Sequence, residues 1–231
     1  MPRQPYRKIN PGAHYYINAD CLKDRPAMAA LIARCLAGWS LVDLEMASVL
    51  AAMLGPTSEA GVAVYLSLQN ARAKRDALIS AAKVVLSGPE FRVVNAMVKK
   101  LQSLAKERHD LAHGVFGVLS DYQDRLLWCS SAHFARWMTN ANKTAWRLEF
   151  DPDPHAPLLE KLCVYRDADL ESLRDEFSEA FHLATQLHQY VAPIPNVSKQ
   201  PIFDSISSHR MIREALQQRD GLRESGDECL E

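Results

Sequence analysis

The hydrophobic period of this chain changes at Gly114, from the 3.6-residue spacing of buried helix faces to the two-residue alternation of strands. Before that point, Gly55-Pro56 and Ser87-Gly88-Pro89 cut the chain into segments whose apolar positions recur only at helical intervals. Asp24 ahead of Pro26 suits a helix start. Helices are therefore expected over about 26–36, 40–54, 57–86 (as one helix or two) and 90–113. After Gly114, V-F-G-V-L and R-L-L-W-C-S flank D-Y-Q-D and read as a hairpin. Residues 146–150 and 162–165 are expected to add two strands, separated by the loop D-P-D-P-H-A-P, and a last long helix spans about 169–190. The expected fold class is mainly α: an up-and-down helical bundle with a small β-hairpin or β-sheet insertion between the helix ending at His113 and the last long helix.

With 231 residues, one main domain over 26–191 is expected, carrying the β-rich insertion at 115–166. Pro2, Pro5, Pro11 and Gly12 make residues 1–25 an N-terminal arm. Residues 192–231 read as a linker, A-P-I-P-N-V-S-K-Q-P, and a tail with a short helix near 208–218 and an acidic end. A formal net charge of -1 gives no global field toward nucleic acid, so any RNA contact must come from a local patch. The five cysteines, at 21, 35, 129, 163 and 229, lack C-x-x-C spacing and fit the reduced thiols of a cytoplasmic protein. Met1 to Asn18 does not read as a secretory signal. Arg34, Asp43 and Glu45 interrupt the apolar stretch Ala27 to Leu54, so the chain is expected not to cross a membrane.

On a helix over 94–113, Val94, Met97, Val98, Leu101, Leu104, Ala105 and Ala112 form one apolar stripe, and Arg108 falls in its middle. A guanidinium in an apolar seam is costly unless an anion or polar group receives it. His109 and His113 share one flank at i, i+4, and Asp110 points the opposite way. Gly114 is the expected residue just past the helix end. His113 then lies in the last turn, where the helix dipole favours a cation and suits a general acid.

The run E-R-H-D-L-A-H-G, with Arg108 and His113 in an R-x4-H pattern, resembles the motif of the HEPN superfamily of helical nucleotide-binding domains. In that family the position after the arginine is commonly Asn, Asp or His, here His109. The resemblance covers residues 26–191 and is weakest over 115–166, which a minimal all-helical member lacks. It implies a homodimer through the motif-bearing helices, with two motifs facing one cleft, and a metal-independent endoribonuclease. Arg108 and His113 would be the catalytic pair and His109 a supporting polar residue. The implied chemistry is attack by the ribose 2′-hydroxyl on phosphorus, leaving a 2′,3′-cyclic phosphate and a 5′-hydroxyl. Relatives act as toxins or defence effectors, which implies a possible antitoxin or regulatory partner.

Arg72, Lys74, Arg75, Lys99, Lys100 and Lys106 are candidates to track the RNA backbone. No metal and no cofactor is expected. Zinc ligation by His109 and His113 is disfavoured because Asp110 stands where a metalloprotease needs glutamate and no third ligand is placed. His14, His133, His155, His182, His188 and His209 show no spacing of note, and the four tryptophans read as core or interface aromatics. The alternative to an enzyme is a non-catalytic dimeric module that holds RNA, a nucleotide or a protein.

Overall fold

The computed structural model describes residues 3–217 apart from positions 11, 19, 56–57, 148–154, 194 and 196–197. In chain order the elements are β1 (Gln4–Pro5), α1 (Tyr6–Ile9), β2 (Tyr15–Tyr16), a 3-10 turn (Cys21–Asp24), α2 (Pro26–Leu54), α3 (Ser58–Ser67), α4 (Ala71–Val85) and α5 (Gly88–His113). They continue with β3 (Gly114–Leu119), β4 (Tyr122–Ser130), α6 (Ser131–Arg147), α7 (Ala156–Leu159), β5 (Cys163–Arg166), α8 (Asp167–Val191) and α9 (Gln200–Ser208). Residues 210–217 are also helical. The chain is thus mainly helical, with one small antiparallel sheet. It divides into two compact units, Met1–Ala37 with Arg108–Glu176 and Gly38–Glu107 with Phe177–Glu231.

The first unit is built on a five-stranded sheet of order β1-β5-β4-β3-β2, antiparallel throughout. The proline-rich opening segment, read from sequence as an arm, supplies both edge strands. Two-residue strands close each edge, Gln4 and Pro5 against Val164 and Cys163, and Tyr15 and Tyr16 against Leu119 and Val118. In β4 the whole run Leu126, Leu127, Trp128 and Cys129 is buried, which for alternating side chains means that both faces of the sheet are covered. On one face Leu127, Cys129 and Val164 pack with Tyr6, Leu119, Leu158 and Leu162, and Phe134 and Trp137 of α6 close over them.

Helix α6 lies outside the elements expected from sequence. Ser130 caps it, its Oγ accepting the His133 N–H at 3.3 Å, and Phe134 and Trp137 give it an apolar side. It overturns the strand expected at 146–150 as far as Arg147, while 148–150 lie outside the described residues. The loop expected before β5 lies outside the described residues over 151–154, and its last two residues, Ala156 and Pro157, open α7 instead, with proline tolerated in a helix's first turn.

Arg25, also in this unit, opens α2. Its carbonyl accepts the Ala29 N–H at 2.9 Å, and Pro26 occupies the first helical position, where its missing donor costs nothing. Asp24, expected as the cap, instead accepts the Tyr16 hydroxyl at 2.5 Å. The buried Arg25 guanidinium donates to the carbonyls of Asp24, Leu119 and Tyr122, each at 2.9 Å, and so ties the helix start to the β3–β4 turn.

The second unit is helical. Helix α2 is continuous across Gly38, where two helices were expected, because a lone glycine costs only about 1 kcal/mol and does not stop a helix that is buried on both sides of it. It ends at Gly55, whose φ of 116° is open to glycine alone. Gly61 of α3 lies so close to Ala51 that a Cβ would sit 2.6 Å from its Cα, which fixes the α2–α3 approach. Asn70 caps α4 through the Ala73 N–H at 2.8 Å and splits the expected 57–86 segment.

Helix α2 is long and apolar enough to cross a membrane by length and composition, with 22% of its most apolar window buried within the protein. Val42, Met46, Val49, Leu50 and Met53 on it are core residues. Beyond α8, the short helix expected near 208–218 corresponds to 210–217. Helix α9 precedes it, and the acidic end lies outside the described residues.

Candidate functional site

Helix α5 runs directly into β3: His113 is the last helical residue and Gly114 the first of the strand. Its apolar stripe is real, since Val94, Met97, Val98, Leu101 and Leu104 are all buried. Arg108 is half-buried. Its Nε is fully buried without a hydrogen-bond partner, and no carboxylate among the described residues pairs with it. Arg25 and Arg125 of the same unit also bury an unpartnered Nε, but their Nη atoms are bonded, those of Arg25 to three carbonyls and Arg125 Nη1 to Asn10 Oδ1. A buried donor without a partner is costly, and with no protein group among the described residues bonded to it the half-buried Arg108 is open to an anion. Glu107, the preceding residue, also buries an oxygen, Oε2, without a partner.

His109 and His113 are exposed, with ring centroids 4.6 Å apart and planes inclined by 50°. The i, i+4 spacing therefore brings both imidazoles together at the solvent edge, as expected. Arg108, His109 and His113 all belong to the first unit.

Asp110 anchors this turn. Its carboxylate pairs with Arg3 Nη2 at 2.5 Å, and its carbonyl accepts the Trp128 indole N–H at 3.0 Å. That carbonyl is one of the orphans at a helix C-terminus, so the indole acts as the helix cap. The Arg3 guanidinium lies 4.0 Å over the Trp128 ring and donates to the Tyr165 hydroxyl at 3.3 Å. Burial lowers the Arg3 pKa, but the bonds to Asp110 and Tyr165 outweigh that and raise it overall, holding the cation in place. Sequence reasoning misses Arg3, Trp128 and Tyr165, because Arg3 stands 107 positions from Asp110 and no local period links them.

Gly114 does not take the left-handed conformation expected past a helix end, since Gly55 is the positive-φ glycine among the described residues. Its requirement is steric. A Cβ there would lie 1.8 Å from Trp128 Nε1, so only glycine lets the indole reach Asp110.

The six basic candidates fall in the second unit. Lys74 is committed to Asp43 at 2.6 Å and lies over the Tyr65 ring. Arg75 binds Asp76 at 2.6 Å and Gln102 at 3.2 Å, and Arg72 reaches Asp76 at 3.7 Å. Lys99 and Lys106 are exposed, and Lys100 is half-buried and engaged. Among the described residues no group of three or more His, Cys, Asp or Glu side chains could hold a metal ion.

A cavity of about 400 Å³ opens beside the end of α5, lined by Ile17, Asn18, Cys21, Leu22, Gly114, Val115, Phe116 and Phe134. No family model matches the chain, and no curated protein or solved structure is detectably similar to it.

Proposed function

We propose that this protein is a metal-independent endoribonuclease of the HEPN type, acting in the cytoplasm as a homodimer whose motif-bearing helices face one another. One observation carries the reading: Arg108 buries an unpartnered Nε near the end of α5, in sequence next to His109 and five residues before His113, whose exposed imidazoles adjoin each other. A phosphodiester supplies what that arrangement lacks, since its oxygens can accept from the guanidinium while the histidines manage protons. In the reaction the 2′-oxygen bonds to phosphorus and the bond from phosphorus to the 5′-oxygen breaks. In this reading His113 gives its proton to the departing 5′-oxygen, and His109, the supporting polar residue, takes the 2′-hydroxyl proton. Arg108 stabilises charge on the non-bridging oxygens.

The test is incubation of the purified protein with total RNA in EDTA, with analysis of the new ends. Wild type is expected to leave 2′,3′-cyclic phosphates, and Arg108→Ala and His113→Ala to slow cleavage by about 10²-fold or more. RNA left intact but bound would give the alternative, a non-catalytic module. Cleavage that survives Arg108→Ala would remove the arginine from the reaction.

A further inference from the structure

Across its 17 residues helix α6 contains no Asp or Glu. In a chain with 28 acidic residues and a net charge of -1, that makes it a local basic element with no carboxylate of its own to neutralise it. At about 100° per residue, positions 133, 136, 140, 143 and 147 fall within one arc of about 80°. In sequence these are His133, Arg136, Asn140, Lys143 and Arg147, a row about 21 Å long at the rise of an α-helix. His133, Arg136 and Asn140 are exposed. The apolar side of the same helix is committed, since Phe134 and Trp137 pack on the sheet.

The register of the sheet brings the start of this row to the candidate site. Gly114, which follows His113, pairs directly with Ser130, which precedes α6. Paired Cα atoms lie about 4.5–5.5 Å apart and consecutive ones about 3.8 Å, so the Cα atoms of His113 and Ser130 are within about 9 Å of each other. Ser130 Oγ lies 2.8 Å from His133 Nδ1, which holds the ring by one nitrogen and leaves Nε2 as the one open to a ligand. All of these residues belong to the first unit, with Arg108 and His109.

We infer that the row on α6 is the surface that tracks the RNA backbone as it leaves the candidate site, with His133 and Arg136 donating to phosphates. A cationic row without carboxylates is complementary to a polyanion, and it supplies the local patch that a near-zero net charge demands. A membrane surface fits less well, because an interfacial helix gives its apolar side to the lipid and that side of α6 packs on the protein. The inference rests on the nuclease reading for the identity of the polyanion, and its test is separable from that reading.

A short single-stranded 2′-O-methyl RNA lacks the attacking hydroxyl, so its binding to the full chain is read without cleavage, by fluorescence anisotropy over a range of KCl concentrations. Arg136→Ala is expected to weaken binding by about five-fold and to flatten the slope of log K against log salt by about 0.7, one phosphate contact on a single strand. Arg136→Lys keeps the charge and is expected to stay within about two-fold of wild type. His133→Ala is expected to weaken binding by about two-fold or more. Lys99→Ala removes an exposed charge of the second unit and is expected to leave affinity and slope unchanged. Thermal unfolding checks that each variant is folded.

No binding by wild type, an unchanged slope in Arg136→Ala, or an equal loss in Lys99→Ala would overturn the inference. So would phosphatidylserine vesicles that bind wild type and not Arg136→Ala, which would assign the row to a membrane. Salt-dependent binding through Arg136 with total RNA left intact would uphold the row and fail the nuclease. Cleavage of total RNA with an unchanged KM in Arg136→Ala would uphold the nuclease and fail the row.

Discussion

Arg108 and Asp110 are two residues apart and show how differently single side chains yield to sequence reading. The stripe of Val94, Met97, Val98, Leu101 and Leu104 puts Arg108 among apolar neighbours on sequence alone, because that placement depends only on helical periodicity. The same wheel turns Asp110 outward but gives no hint of what it meets. Its partner is Arg3, held by Trp128 and Tyr165. Both side chains of this pair are at most 18% exposed. Removing one partner leaves the other desolvated without compensation. Arg3→Ala is expected to lower stability by about 2 kcal/mol, read as a shift in the urea midpoint with an unchanged slope. It is further expected to loosen His109 and His113, so that their NMR line shapes broaden while Arg108 stays in place. An unchanged midpoint would show that Asp110 does not need the clasp.

At the scale of elements, the switch of period at Gly114 gives the hairpin its true place, and the long helices ending at Leu54, His113 and Val191 are legible from Gly, Pro and apolar spacing. What stays hidden are elements stabilised by distant partners. The two-residue strands β1 and β2 have no period of their own and form because β5 and β3 offer them an edge. Helix α6 is hidden by its flanking proline-rich loop, although Phe134 and Trp137 carry a helical signal. The join between α5 and β3 is the sharpest case. Gly114 reads as a helix stop, yet it is required because Trp128 occupies the space of a Cβ. Gly114→Ala is accordingly expected to displace the indole, break its bond to Asp110 and cost about 2–3 kcal/mol. Trp128 fluorescence should shift to the red as the ring gains solvent. A neutral substitution would mean that the indole does not cap the helix.

For the whole molecule, a near-zero net charge leaves function to local chemistry, and the buried cysteines of the first unit set its behaviour at high pH. Burial pushes the Cys35 thiol up to about 11, partly countered by Arg174, and burial with the neighbouring Cys163 takes Cys129 up to about 11 as well. In the unfolded chain both ionise at lower pH, so raised folded values favour the protonated, folded state. That contribution is full below the unfolded value and is lost as pH rises through the folded one. Stability is therefore expected to decline from about pH 9 to about pH 11, measured by urea unfolding across that range. Cys35→Ala with Cys129→Ala should flatten the decline. A decline of equal steepness in the double variant would place its cause elsewhere.

The phosphate-receiving role of Arg108 is reached most directly by NMR of its guanidinium Nε–H. This resonance reports on the atom that stands buried and unpartnered in the free protein. Uridine 3′-monophosphate, added to the full chain, is expected to shift it saturably, and uridine is not. A resonance that stays fixed on addition of the nucleotide would show that no phosphate reaches the arginine.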